Sequence, residues 1–166
     1  MSNIAIISTS KSNSKNEENI TKTLLTGESI QRCFNLGLIT EIEKNILDRM
    51  FPNGYFKCWG THDGLTYKQF DKLERNDIFV GGNHDVVDLV GKVVYVMERE
   101  NSALGNYLWN SPEWKWIWFV SDIREINAPL DGLNRLLGYK PNNVIQGFTV
   151  KKDIDEDAIN DYLNRF

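Results

Sequence analysis

The sequence predicts an α+β fold, a small curved mixed sheet or open β-barrel flanked by short helices. Three observations carry that expectation. Short strands separated by short helices and long mixed connections follow one another from Tyr55 to Val150, without the regular strand–helix alternation of a wound parallel sheet. Trp114, Trp116 and Trp118 alternate with Lys115, Ile117 and Phe119 at the period of two that a strand requires. No glycine-rich phosphate loop of either standard form interrupts the pattern.

Taken in order, residues 1–8 read as a short strand and residues 9–19, rich in Lys, Ser, Asn and Glu, as a mobile loop. Residues 26–37 read as a helix capped by Thr26 and ended by Gly37. Thr40 and Glu43 form a capping-box pattern for a second helix, with Ile42, Ile46, Leu47 and Met50 as its apolar face. Residues 1–52 are therefore expected to be a helical N-terminal extension packed on a core domain of residues 53–166. Within that domain, Tyr55 to Gly60 is a strand, Thr66 to Leu73 a helix and Ile78-Phe79-Val80 a buried strand ended by Gly81-Gly82. Val86 to Met97 is a long strand bent at Gly91. The tryptophan strand follows, then 123–126. Pro129 to Leu137 is a helix closed by Gly138, Val144 to Val150 the last strand, and Asp153 to Asn164 an amphipathic helix.

The chain has 166 residues, 41% of them hydrophobic and 25% charged, which suits a globular domain with room for a core. No run has the length of a membrane span, and the first residues lack the basic start and apolar core of a signal peptide. A cytoplasmic protein with no membrane partner is expected. Two cysteines, Cys33 and Cys58, make no disulfide framework and have no metal spacing. The net charge of −4 argues against broad electrostatic coating of nucleic acid, but leaves room for a local site helped by a few lysines.

Two short motifs raise catalysis as an alternative. Gly82-Asn83-His84-Asp85 matches a metallophosphoesterase segment, but a two-metal centre needs more histidines than the two this chain has. His62-Asp63 could be an acid–base pair, with Cys58 the nearest thiol; Cys58 should point to the side of its strand opposite Trp59. A polar loop and a turn are the plainer accounts. A small hydrolase or nuclease would need all four side chains to converge on one pocket.

The five tryptophans pose the main question. Strand alternation already explains Trp116 and Trp118 as core. Trp59 and Trp109 each lie beside a glycine or polar loop, where an aromatic ring serves binding as readily as packing; Trp114 could do either.

Phe56-Lys57-Cys58-Trp59-Gly60-Thr61, the valine-rich strands, Trp109 with Trp114-Lys115-Trp116-Ile117-Trp118-Phe119-Val120-Ser121-Asp122-Ile123, and Asn143-Val144-Ile145-Gln146-Gly147 together resemble the YTH and EVE domains of the PUA-like superfamily. The order and spacing look closest to the N-terminal modified-DNA-reading domains of McrB-type restriction proteins. The resemblance covers about residues 53–151.

It implies a reader of a methylated base, N6-methyladenine in DNA being favoured and RNA being the other nucleic acid such domains bind. By position, Trp59, Trp109 and Trp114 would form the aromatic cage. Gly60, Thr61, Asn110 and Gln146 would contact the base edge, and Lys57, Lys115, Lys140 and Lys151 the phosphates. Gly60 departs from the small polar or thiol residue usual after the first tryptophan. No catalysis, metal or cofactor is implied in this chain. A nuclease or NTPase motor would be carried elsewhere.

Overall fold

The computed structural model describes residues 2–10 and 14–166. The first half runs β1 (Ser2–Ser8), α1 (Ser14–Ile20), a π-helical turn (Thr21–Thr26), β2 (Glu28–Ser29), α2 (Ile30–Asn35), α3 (Glu41–Met50), β3 (Tyr55–Phe56) and β4 (Cys58–Thr61). It continues through α4 (Leu65–Phe70), β5 (Ile78–Asn83), β6 (Val86–Val96), α5 (Ser102–Trp109), β7 (Trp116–Pro129), α6 (Leu130–Leu136), β8 (Thr149–Ile154) and α7 (Glu156–Leu163).

Six strands make one curled sheet in the order β4-β7-β6-β5-β1-β8, with β2 and β3 a separate ribbon. β1 runs parallel to β5 and every other pairing is antiparallel, so the sheet is mixed, as the sequence predicted. Bulges interrupt the β6–β7 ladder at three places, and each adds local twist. The result is an open half-barrel with α4 bridging its two edge strands: α4 touches both β4 and β8. The Val150 amide of β8 donates to Gln69 Oε1 of α4 at 2.9 Å.

Alternation along each strand sorts the core into three clusters. Ala5, Ile7, Phe79, Val93, Trp118 and Val150 pack together with Trp59 on one face. Ile4, Ile6, Ile78 and Val80 turn the other way, against α6 and α7. Cys58, Ile117 and Phe119 pack beneath α2, α3 and α5. Cys58 and Trp59 thus face opposite sides, as expected from their spacing.

Several expectations need correction. β1, from the segment expected to be a helical extension, lies between β5 and β8 inside the main sheet. Its residues 3–7 are all buried, as in a parallel strand covered on both faces, and leave no period-two signal. Of the expected loop 9–19, residues 11–13 lie outside the described residues, while residues 14–19 are helical. The α2 cap is Ser29, whose Oγ accepts from the Arg32 amide at 3.2 Å, instead of Thr26. The Thr40–Glu43 capping box is present, but Ile42 is 75% exposed and Glu43 takes the inward position. The tryptophan strand begins at Trp116, leaving Trp114 in the irregular segment before it, and runs unbroken to Pro129. The last strand starts at Thr149, after a turn in which Gly147 adopts φ +63°.

Candidate nucleic-acid interface

β4 is an edge strand, paired on one side only with β7 through Trp59 opposite Trp118 and Thr61 opposite Trp116. Beside it opens a cavity of about 380 Å³. Trp59, Trp114 and Phe148 supply its aromatic walls. Gly60, Thr61, His62 and Thr66 line it from β4 and the start of α4, and Ser8, Ser10 and Asn16 from the end of β1 and from α1. Asn16 Nδ2 donates to the carbonyls of Ser8 and Ser10 at 3.2 and 3.1 Å, which closes the N-terminal rim.

Trp59, Trp109 and Trp114 come together as a triangle. Their ring centroids are 6.1 Å (59 to 109), 6.4 Å (59 to 114) and 6.3 Å (109 to 114) apart. Their positions differ in kind. Trp59 and Trp114 line the cavity; Trp109 stands behind them among the α5 core residues, 4% exposed, with its Nε1 donating to Thr23 Oγ1 at 3.4 Å. Trp118 is fully buried, donates to Thr61 Oγ1 at 3.2 Å and carries Phe148 stacked on it at 5.3 Å. Trp116 is half-buried against Tyr67 and Phe70.

The remaining sequence-proposed contacts are spread out. Gly60 and Thr61 are on the cavity. Asn110 is the exposed left-handed residue that ends α5, φ +54°, and is not on it. Gln146 lines a neighbouring groove with Tyr139 and Ile145, one residue from the cavity-lining Gly147. Lys57 is half-buried and Lys140 exposed; Lys151 lies over the Tyr139 ring at 5.5 Å. Lys115 is engaged by Asp63 at 2.7 Å and Glu100 at 3.4 Å. Its hydrogen bond, with a second from Trp116 Nε1 at 2.8 Å, holds the Asp63 carboxyl below the ordinary carboxylate value.

His62, Phe148, Ser8, Ser10 and Asn16 were not expected in a binding site. The sequence marks His62 only as a possible acid–base residue, and the others carry no motif; only chain topology brings those others to β4. The His62 ring lies 3.9 Å from that of Trp114, and its buried Nε2 has no hydrogen-bond partner among the described residues. His84 and Asp85 line a different groove, beside Pro129 and Asp131. The four side chains of the hydrolase alternative therefore do not meet. Among the described residues no group of three or more His, Cys, Asp or Glu could hold a metal ion. Among the described residues no helix is long and apolar enough to cross a membrane.

No protein-family model matches the chain, and no curated protein matches it. Among solved structures it is similar to the N-terminal domain of McrB from Thermococcus gammatolerans bound to m5C DNA, with 18% identity and a TM-score of 0.72. That similarity takes in 98% of this chain and 97% of the other, so it includes the N-terminal segment that the sequence resemblance left out. The chain has the fold of that McrB N-terminal domain.

Proposed function

We propose that this chain is a non-catalytic reader that takes a methylated base of DNA into the cavity beside β4. The observation that carries this is the cavity itself. It has aromatic walls, Trp59, Trp114 and Phe148, and a floor of backbone and small polar groups at Gly60 and Thr61. A base drawn from its stack loses stacking energy, and aromatic side chains restore about 1–3 kcal/mol per base. A methyl group adds about 0.8 kcal/mol of apolar burial. Extrusion from a duplex costs a few kcal/mol, so the pocket must supply most of what a chain of net charge −4 does not gain from phosphates. Within the cage, Trp59 and Trp114 act as walls and Trp109 as the backing that holds them.

The sequence resemblance favours N6-methyladenine, while the McrB domain of like fold was bound to m5C DNA. Both bases are flat, carry one added methyl and present an exocyclic amine. We further propose that the domain serves as the specificity module of a modification-dependent restriction system, with a nuclease or NTPase motor on another domain or subunit.

Fluorescence anisotropy at fixed salt tests the reading. The probes are duplexes carrying one N6-methyladenine, one 5-methylcytosine or neither, and a methylated RNA strand. Tighter binding to one methylated duplex, lost in a folded Trp114→Ala variant, supports it and names the base. Equal affinity for all three duplexes overturns it, and preference for the RNA strand moves the substrate to RNA.

A further inference from the structure

We propose that Leu65 is a wedge that enters the base stack of duplex DNA and fills the gap left when a base is drawn into the cavity. The proposal rests on the base-reader function above and adds the partner surface at the cavity mouth.

Leu65 is 80% exposed, the most exposed large apolar side chain among the described residues. A single leucine in water is ordinary on any surface. Its place is what matters. His62 and Thr66, on either side of it in the chain, both line the cavity. The turn between them is not slack. Gly64 makes it at φ +84°, and the Asp63 carboxylate is fixed by Trp116 Nε1 at 2.8 Å and Lys115 at 2.7 Å. The Thr66 hydroxyl donates to the His62 carbonyl at 2.9 Å. α4 itself is anchored by buried Phe70 and by the Gln69–Val150 hydrogen bond. A braced turn thus holds an apolar side chain out in solvent, next in the chain to the cavity-lining Thr66.

The charges nearby are mixed: the exposed Asp63 carboxylate is paired by Lys115, and one further cation stands beside Leu65. Lys68 is exposed and sits three residues along α4, on the same side of the helix as Leu65. An apolar tip with a cation beside it matches a base step next to a phosphate. Proteins that deform duplexes insert leucine, phenylalanine and similar side chains between base steps, and base extrusion leaves such a space open. A single strand has no stack to hold open, so the wedge should matter for duplexes alone.

The test compares the wild-type domain with Leu65→Ser and Leu65→Phe by anisotropy. The probes are a duplex with the preferred methylated base and the same methylated strand alone. Because Leu65 is exposed, both variants should melt as the wild type does. The expected result is a loss of about tenfold, about 1.4 kcal/mol, for Leu65→Ser on the duplex. Single-strand affinity should be unchanged, and Leu65→Phe should recover the duplex affinity. Unchanged duplex affinity in Leu65→Ser, or an equal loss on duplex and single strand, overturns the wedge while leaving the reader intact. Absence of any methyl preference in the wild-type protein on both probes overturns the reader function itself, and the wedge with it.

Discussion

Gly60 and Trp109 share one volume: a Cβ on Gly60 would stand 2.7 Å from the Trp109 ring and 3.3 Å from Trp114 Cβ. The indole of Trp109 lies where a side chain of β4 would otherwise project. The constraint is steric, since Gly60 is paired in the β4–β7 ladder opposite Ile117. Gly60→Ala should therefore destabilise the fold by about 1–3 kcal/mol, the usual cost of overpacking. Urea unfolding measures this, and an unchanged midpoint would mean that Trp109 yields freely. Glycine at this position thus has a structural reason: a small polar side chain there would collide with the ring.

The same geometry separates two tryptophans that look alike in sequence. Trp109 is buried behind the cavity and Trp114 is half-buried on it. Trp109→Ala should cost about 3–5 kcal/mol of stability, as for other large buried aromatics. Trp114→Ala should cost less and instead abolish preference for the methylated base. Denaturation and anisotropy on the same two variants check this, and the assignment fails if their effects are exchanged.

Lys115 illustrates what sequence position alone does not tell. Proposed from the resemblance as a phosphate contact, it is held by Asp63 and Glu100. Its role is then to brace the turn that carries His62 and Leu65. Each phosphate neutralised contributes about −0.9 to the slope of log affinity against log salt. Lys115→Gln should leave that slope nearly unchanged, while Lys140→Gln, at an exposed lysine, should make it shallower by about one. A salt titration of both variants decides between bracing and phosphate contact.

How much of the fold is legible in the sequence follows from the range of each interaction. The tryptophan strand, the capping box and the glycine ends of α2 and α6 are local patterns, visible in a few consecutive residues. β1 was visible as a strand, yet its partners are β5 and β8, more than seventy residues away, so its place inside the sheet could not be read from residues 2–8. The cavity shows the same division. Trp59, Gly60, Thr61 and Trp114 came from a motif, whereas Ser8, Asn16 and Phe148 reach it only through sheet order.

Glu43 links α3 to the loop after β6 and gives the fold a pH signature. It accepts from Arg99 Nε at 2.9 Å and Nη2 at 2.7 Å, and from the Thr40 amide at 2.8 Å. Burial pushes its carboxyl up, and the Arg99 and Thr40 hydrogen bonds outweigh this to leave it below its ordinary value. A carboxyl depressed in the folded state adds stability above its unfolded pKa, about 4.3, and loses that contribution as pH falls through the folded value. Glu43→Gln should cost about 1 kcal/mol at neutral pH, at the low end for a charged hydrogen bond because Arg99 is partly in water. The difference in melting temperature from wild type should close below about pH 4. A constant difference from pH 7 to pH 3 would show that the charge contributes nothing.

Cys33 and Cys58 supply the last test, which bears on catalysis as well as on the core. Both are fully buried in the cluster beneath α2, α3 and α5. Burial pushes the Cys33 thiol up to about 12 and the Cys58 thiol well above its ordinary value. The thiolate is the reactive form, so neither should react at pH 8 while the protein is folded. Cys58 also faces away from the cavity that His62 lines, since Trp59, the next residue, is the one that turns toward it. A Cys–His pair would need both groups on one side of β4. Labelling with a thiol reagent should show both cysteines silent in native protein and released together in high guanidinium, at the rate of global unfolding. Fast native reaction of Cys58 alone would mean that the wall behind β4 opens, and would return the thiol to consideration as a nucleophile.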